Sequence, residues 1–177
     1  YNLSRRPAFQ QVVDMINKAF CLMSNVLKNW HFGHKYCIDY AAKLWDRLSV
    51  ILFYNSDDEV KIQKENCNID DIYLSIDYRI NSIRTYVKSF DNVDFIHFDS
   101  SIIYNTLPSL THWNAETPFV KTVIKDIDAV FSSEESYSAY FKTAYPEAEH
   151  ILIDPPRVVV PISGTKLRAM NDVNKWI

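Results

Sequence analysis

Short apolar and β-branched runs alternate along this chain with longer stretches in which apolar residues recur every three or four positions. Five of the short runs read as strands: AFCLMSN (19–25), LSVILFYN (48–55), VDFIHFD (93–99), DAVFSS (128–133) and HILID (150–154). Most are almost continuously apolar, as strands covered on both faces of a parallel sheet must be. Between them, HKYCIDYAAKLW sets Tyr36, Tyr40, Ala41 and Leu44 on one helical face, and IDYRINSIRTYVKSF does the same with Ile76, Ile80, Ile83 and Val87. TPFVKTVIKDI and EESYSAYFKTAY supply two further helices. The second is opened by Ser133 as its cap, with Glu134 and Glu135 near the positive end of the helix dipole. This βαβ alternation predicts a doubly wound α/β domain with a five-stranded parallel sheet and helices on both faces. Residues 1–15 are compatible with an extra helix, and the charge-rich residues 56–75 read as a long loop. No repeat, low-complexity tract or linker divides the chain, so residues 1–18 read as an N-terminal extension and 19–177 as one domain.

Composition narrows the class. Of 177 residues 47% are hydrophobic and 14% aromatic, which excludes a disordered chain. No apolar run approaches the roughly 18 residues of a membrane helix. The polar, basic start YNLSRRPAFQQ lacks the apolar core of a secretory signal, so a cytoplasmic protein that meets no membrane is expected. Three cysteines, Cys21, Cys37 and Cys67, are odd in number and lack C-x-x-C spacing, which argues against a disulfide framework and against a zinc site. Cys21 and Cys37 read as small apolar groups. A net charge of −3 offers no broad basic field, so nucleic acid is not expected and any bound anion must be met by a local pocket. The partners expected are small molecules, and a homo-oligomer is compatible with the sequence. His97, His112 and His150 read as ordinary solvated histidines, and Arg79 and Arg84 as a salt-bridged helix surface.

Candidate chemistry gathers around the chain's two glycines. Gly33 lies in NWHFGHKY, directly after the first strand, where a doubly wound sheet collects ligands at a helix N-terminus. There it would let the backbone approach a phosphate, while His31 and His34, three apart, point to one side of it. Gly164 lies in PISGTKLR. Ser163 is placed to cap a new helix after Pro161, Gly164 and Thr165 to present N–H groups, and Lys166 and Arg168 to add charge. Two anion-binding corners on one sheet suit a nucleoside triphosphate.

H-x-G-H after a first strand, followed late in the chain by I-S-G-T-K-x-R, resembles the signature pair of the nucleotidyltransferase superfamily. The chain is most similar to the nicotinamide-nucleotide (NMN) adenylyltransferase domain of the bifunctional bacterial proteins that also carry ribosylnicotinamide kinase. DAVFSSEESYSAYF and IDPPRVVVPISGTKLR look like two more segments of that family, so the resemblance spans residues 19–177. Where the family reads G-x-F-x-P ahead of the histidines, this chain has Asn25, Leu27 and Asn29.

The resemblance implies the Rossmann-like nucleotidyltransferase fold and in-line attack of the NMN phosphate on the α-phosphate of ATP, giving NAD and pyrophosphate, with Mg²⁺ bridging the phosphates. It assigns catalysis to His31, His34 and Arg168, and ATP binding to Asn25, Leu27, Gly33, Ser163, Gly164, Thr165 and Lys166. NMN falls to Trp113, Asn55, Ser133 and Arg157; Trp113 reads on its own either as a core tryptophan or as a ring that stacks on the nicotinamide. Asp154 and Arg157 are expected either to pair and position the last loop or to meet substrate. The rivals are a pantetheine-phosphate adenylyltransferase or cytidylyltransferase, which ISGTKLR disfavours, and a non-catalytic nucleotide or NAD sensor whose first loop has diverged.

Overall fold

The computed structural model describes residues 18–23, 30–57, 75–106, 113–163, 166–167, 169–170 and 175–176. The helix expected over residues 1–15, most of the polar loop, Cys67 and His112 lie outside them. Strands β1 (Lys18–Met23), β2 (Arg47–Tyr54), β3 (Val93–Asp99), β4 (Ala129–Ser132) and β5 (Glu149–Leu152) stand in the order β3-β2-β1-β4-β5. Each neighbouring pair runs parallel, with Cys21 of β1 between Val50 of β2 and Phe131 of β4. The helices are α1 (Phe32–Leu44), α2 (Ile76–Val87), α3 (Ser101–Thr106), α4 (Trp113–Val123) and α5 (Ser138–Ala144), the last preceded by a 3-10 turn at Glu135–Tyr137.

Alternation along β2 divides the core between two faces. Leu48, Val50 and Leu52 pack with Cys37, Ile38 and Ala41 of α1 and with Ile83 and Val87 of α2. Ile51 and Phe53 point the other way, toward Val120 of α4 and Phe141 of α5. These five β2 side chains are at most 1% exposed, and burial of each is worth about 2–3 kcal/mol. A nearly continuous apolar run, broken here only by the buried Ser49 between Leu48 and Phe53, suits two covered faces.

Three local readings change. Arg79 is only 3% exposed, and its Nε donates to the Ser75 carbonyl at 3.3 Å, so it is no surface residue. It sits three residues after Ile76 and four before Ile83, on the inward stripe itself. Arg84 does stay outside, against Asn81 and His97. Ser133 caps no helix, because the chain enters α5 through the 3-10 turn, and neither helical start has a side-chain cap. His150 is not a free histidine: Ser132 Oγ lies 2.6 Å from its Nε2 and Ser138 Oγ 2.8 Å from its Nδ1.

From β1 the sheet grows outward in both directions, β2 then β3 on one side and β4 then β5 on the other. Connections leaving the carboxyl ends of β1 and β4 therefore diverge and open a crevice between them. There the turn after Ser132 meets α1, with Ser133 Oγ 3.4 Å from Cys37 Sγ.

Candidate active site

His31 is the N-cap of α1, with extended backbone at φ −151° and ψ 170°. Its Nδ1 accepts the Gly33 N–H at 3.0 Å, and the His34 Nδ1 accepts the His31 N–H at 3.2 Å. The pair forms a reciprocal capping box from two imidazoles, where a serine and a glutamate would ordinarily serve. A ring nitrogen that accepts an N–H carries no proton, so the proton of each neutral ring sits on Nε2. The rings stack with centroids 3.8 Å apart and planes at 29°.

This geometry explains Gly33 differently from the sequence. A Cβ there would meet His31 Cε1 at 2.8 Å and Nδ1 at 2.9 Å. The missing side chain makes room for the His31 imidazole, which folds back over the helix start. Backbone approach to a phosphate is not what the space provides.

The first-turn N–H groups of α1 are also spoken for. Phe32 donates to the Trp176 carbonyl at 2.9 Å, Gly33 to His31 Nδ1, and His34 to the His31 carbonyl at 3.0 Å. The expected open helix N-terminus is thus closed within the chain, and an anion would meet the imidazole Nε2–H groups instead. Among the described residues no group pairs with either Nε2. Burial, then the positive charges of Arg157 and Lys35, hold the His31 pKa down to about 4. Burial, then His31 and Arg157, hold His34 well below its ordinary value. Both rings are neutral donors at physiological pH.

Arg157 reaches the histidines from a loop of unusual backbone. Asp154 has φ 45° and Arg157 φ 54°, left-handed values that cost a non-glycine residue about 1 kcal/mol or more. The Asp154 carboxylate compensates by accepting the N–H groups of Val158, Val159 and Val160 at 2.8, 2.9 and 3.1 Å. These bonds hold its pKa below the ordinary value even against desolvation. Arg157 donates through Nη1 to the Ile162 carbonyl at 3.2 Å and pairs through Nη2 with Glu134, just after β4. Ile162 is 2% exposed, and its Cγ2 lies 3.8 Å from the place of a Gly33 Cβ, which seats the loop on the start of α1. Of the two roles expected for Asp154 and Arg157, positioning is what Asp154 performs, through backbone N–H groups, while the salt bridge goes to Glu134. Ser163 caps the next turn as expected, its Oγ accepting the Lys166 N–H at 3.3 Å.

His31, Gly33, His34, Arg157 and Ser163 therefore gather at one end of α1. Ser133 joins from β4 through Cys37, whose Sγ lies 3.4 Å from Ser133 Oγ. Burial pushes the Cys37 thiol up, so it stays protonated and serves as the small apolar group expected. Lys166 is exposed. Asn55 stands at the end of β2 with its Oδ1 on the Asp57 N–H at 3.0 Å, and Trp113 begins α4. Asn25, Leu27, Gly164, Thr165 and Arg168 lie outside the described residues. Sequence reading overlooked Trp30, whose indole stacks on His34 with centroids 5.8 Å apart and planes at 15°. It also overlooked Glu134 as the Arg157 partner. The one signal for Trp30 was its place directly before His31.

Among the described residues no three His, Cys, Asp or Glu side chains converge as metal ligands, and no helix is long and apolar enough to cross a membrane. No family model and no curated protein sequence matches this chain. Among solved structures, it is similar to Plasmodium falciparum nicotinic acid mononucleotide adenylyltransferase complexed with NaAD, at 15% identity and a TM-score of 0.40, over 91% of each chain.

Proposed function

We propose that this chain is an adenylyltransferase that joins NMN and ATP into NAD with release of pyrophosphate. The observation that carries the reading is the pair of stacked, neutral imidazoles, each with its proton on Nε2, beside the Arg157 guanidinium at the sheet's switch point. Such fixed donors suit a reaction in which a phosphate oxygen attacks the α-phosphorus and the bond to the bridging oxygen of the leaving pyrophosphate breaks. Charge builds on phosphoryl oxygens without a covalent enzyme intermediate, and oriented N–H donors in a poorly hydrated site stabilise it. With both Nδ1 atoms engaged, His31 and His34 act in this reading as donors that keep their protons. Arg157 supplies the resident positive charge. Ser163, Gly164, Thr165, Lys166 and Arg168 hold the β and γ phosphates, Asn25, Leu27 and Gly33 border ATP, and Trp113, Asn55 and Ser133 with Arg157 receive NMN. Magnesium, carried on phosphate oxygens and water, would neutralise the departing pyrophosphate.

The test is direct. Purified protein is mixed with ATP, Mg²⁺ and NMN, and separately with the deamidated acid form of NMN, and dinucleotide and pyrophosphate are quantified. NAD formation is expected. A chain that binds both substrates and makes neither dinucleotide is a nucleotide-binding module.

A further inference from the structure

A groove of about 520 Å³ lies between α1 and α2, outside the histidine site but adjoining it through Trp30. That volume is in the range of small-molecule sites. Its two sides differ in chemistry. Trp30 and Lys35 line one, and Tyr78, Asn81, Ser82, Thr85 and Tyr86, all from α2, line the other.

Lys35 is the unusual member. Its Nζ sits over three rings, 4.6 Å from the centroid of Phe32, 5.9 Å from Trp30 and 6.0 Å from Tyr86. Among the described residues no carboxylate pairs with it. The acid one turn away, Asp39, instead accepts the Tyr86 hydroxyl at 2.6 Å. Partial burial lowers the Lys35 pKa, as expected for an ammonium that has lost water without gaining a counter-ion. Ring faces hold the cation in place but do not neutralise it. The Asp39 bond and an edge contact with Trp30, centroids 5.7 Å apart, fix the Tyr86 ring as a wall. Beside Tyr86 on the same helix stand the amide of Asn81 and the hydroxyls of Ser82 and Thr85.

We propose that this groove is a second ligand site, for a small planar aromatic anion whose charge meets Lys35 and whose ring lies against Tyr86 and Trp30. The amide of Asn81 and the hydroxyls of Ser82 and Thr85 serve polar groups along the ring's edge. Anion and aromatic ring are both required. A bare anion leaves the aromatic wall uncovered, and a neutral ring leaves the ammonium unpaired. The site is independent of the catalytic reading, since none of its groove-facing polar groups is assigned to ATP or NMN.

Titration calorimetry on the whole chain tests it, with 2-naphthoate and 2-naphthyl phosphate as the carboxylate and phosphate forms of the ligand and 2-naphthamide as the neutral control. At least one anion is expected to bind at one site per chain, about tenfold or more tighter than the amide. Lys35→Met should weaken it by about tenfold or more. Thr85→Glu, at an exposed helix position that does not threaten folding, should do likewise by placing a carboxylate on the rim, with ATP binding unchanged. The proposal is overturned if neither anion binds, if the amide binds as well, or if both variants bind as the parent does. None of these results depends on whether NAD is made.

Discussion

The imidazole of His31 occupies the space that a side chain on Gly33 would need, its Cε1 lying 2.8 Å from the position of a Cβ. Gly33→Ala therefore forces the ring outward and breaks the Gly33 N–H bond to Nδ1. A lost cap costs about 1 kcal/mol, while alanine in place of glycine near a helix start returns about 0.5–1 kcal/mol. Stability should stay within about 1 kcal/mol of the parent, and turnover should fall by roughly tenfold or more as the His31 donor loses its aim. Thermal melting and steady-state NAD formation, measured together, separate the two effects. A variant that melts normally and turns over normally would show that the His31 orientation is idle.

His34 caps α1 through Nδ1 and, in the proposed adenylyl transfer, donates through Nε2. His34→Asn keeps an acceptor near the Nδ1 position and removes the distal donor. It should melt close to the parent and lose turnover by roughly a hundredfold, the usual effect of deleting one donor to a developing oxyanion. His34→Gln, with a donor near the Nε2 position, should recover part of that loss. Equal turnover in the asparagine and glutamine variants would remove the catalytic duty.

Acid should unfold this protein through its buried imidazoles. His31 titrates near 4 when folded against an ordinary 6.5, so between those values the unfolded chain binds more protons. Stability is accordingly complete above about pH 6.5 and falls as pH drops toward 4, by about 3 kcal/mol for His31 alone. His34 acts in the same direction. Urea unfolding of the parent between pH 7.5 and 4.5 should show this slope, and His31→Asn should flatten it. A parent slope no steeper than that of the variant contradicts the assignment.

Arg157 is a resident charge that both rings feel. Arg157→Ala should raise the titration midpoints of His31 and His34, followed by proton NMR of their ring hydrogens, and weaken ATP binding. Arg157→Lys should restore the midpoints better than it restores binding, because an ammonium carries the charge but not the fork that spans Glu134 and the Ile162 carbonyl. Midpoints that stay put in the alanine variant would place the guanidinium elsewhere.

Asp154 shapes the loop that delivers Arg157. Asp154→Asn tolerates the left-handed backbone yet offers one acceptor oxygen where the carboxylate offers two. Weaker ATP binding with little change in melting is expected, and Asp154→Ala should weaken binding further. Calorimetry with ATP decides whether loop shape and ligand binding are linked.

Strands and their parallel pairing were legible because β2 is nearly continuously apolar from Leu48 to Phe53, with Ser49 the exception, as two covered faces require. The start of α1 was legible for a similar reason, since glycine and two histidines there have no propensity to recommend them. What the letters hid was direction. Nothing in H-F-G-H says that the ring folds back to cap the helix, or that a carbonyl from Trp176 closes the remaining N–H. Arg79 was misplaced although its spacing put it on the buried stripe, because its charge was weighed above its position. The Ser132–His150–Ser138 bridge depends on the register of β4 against β5, and α3 is too short for periodicity to reveal.

The central strand also dictates when the domain can be finished. β1 leaves its β2 edge satisfied early in synthesis, but its other edge waits for β4, which is encoded far downstream. Until β4 leaves the ribosome, the β1 edge toward the crevice is a row of unpaired backbone groups, open to pairing with another chain. Closing that long loop comes late, because its entropy cost precedes the strand pairing that offsets it. The same strand order that sets the switch point leaves the nascent sheet with an open pairing edge until its fourth strand arrives.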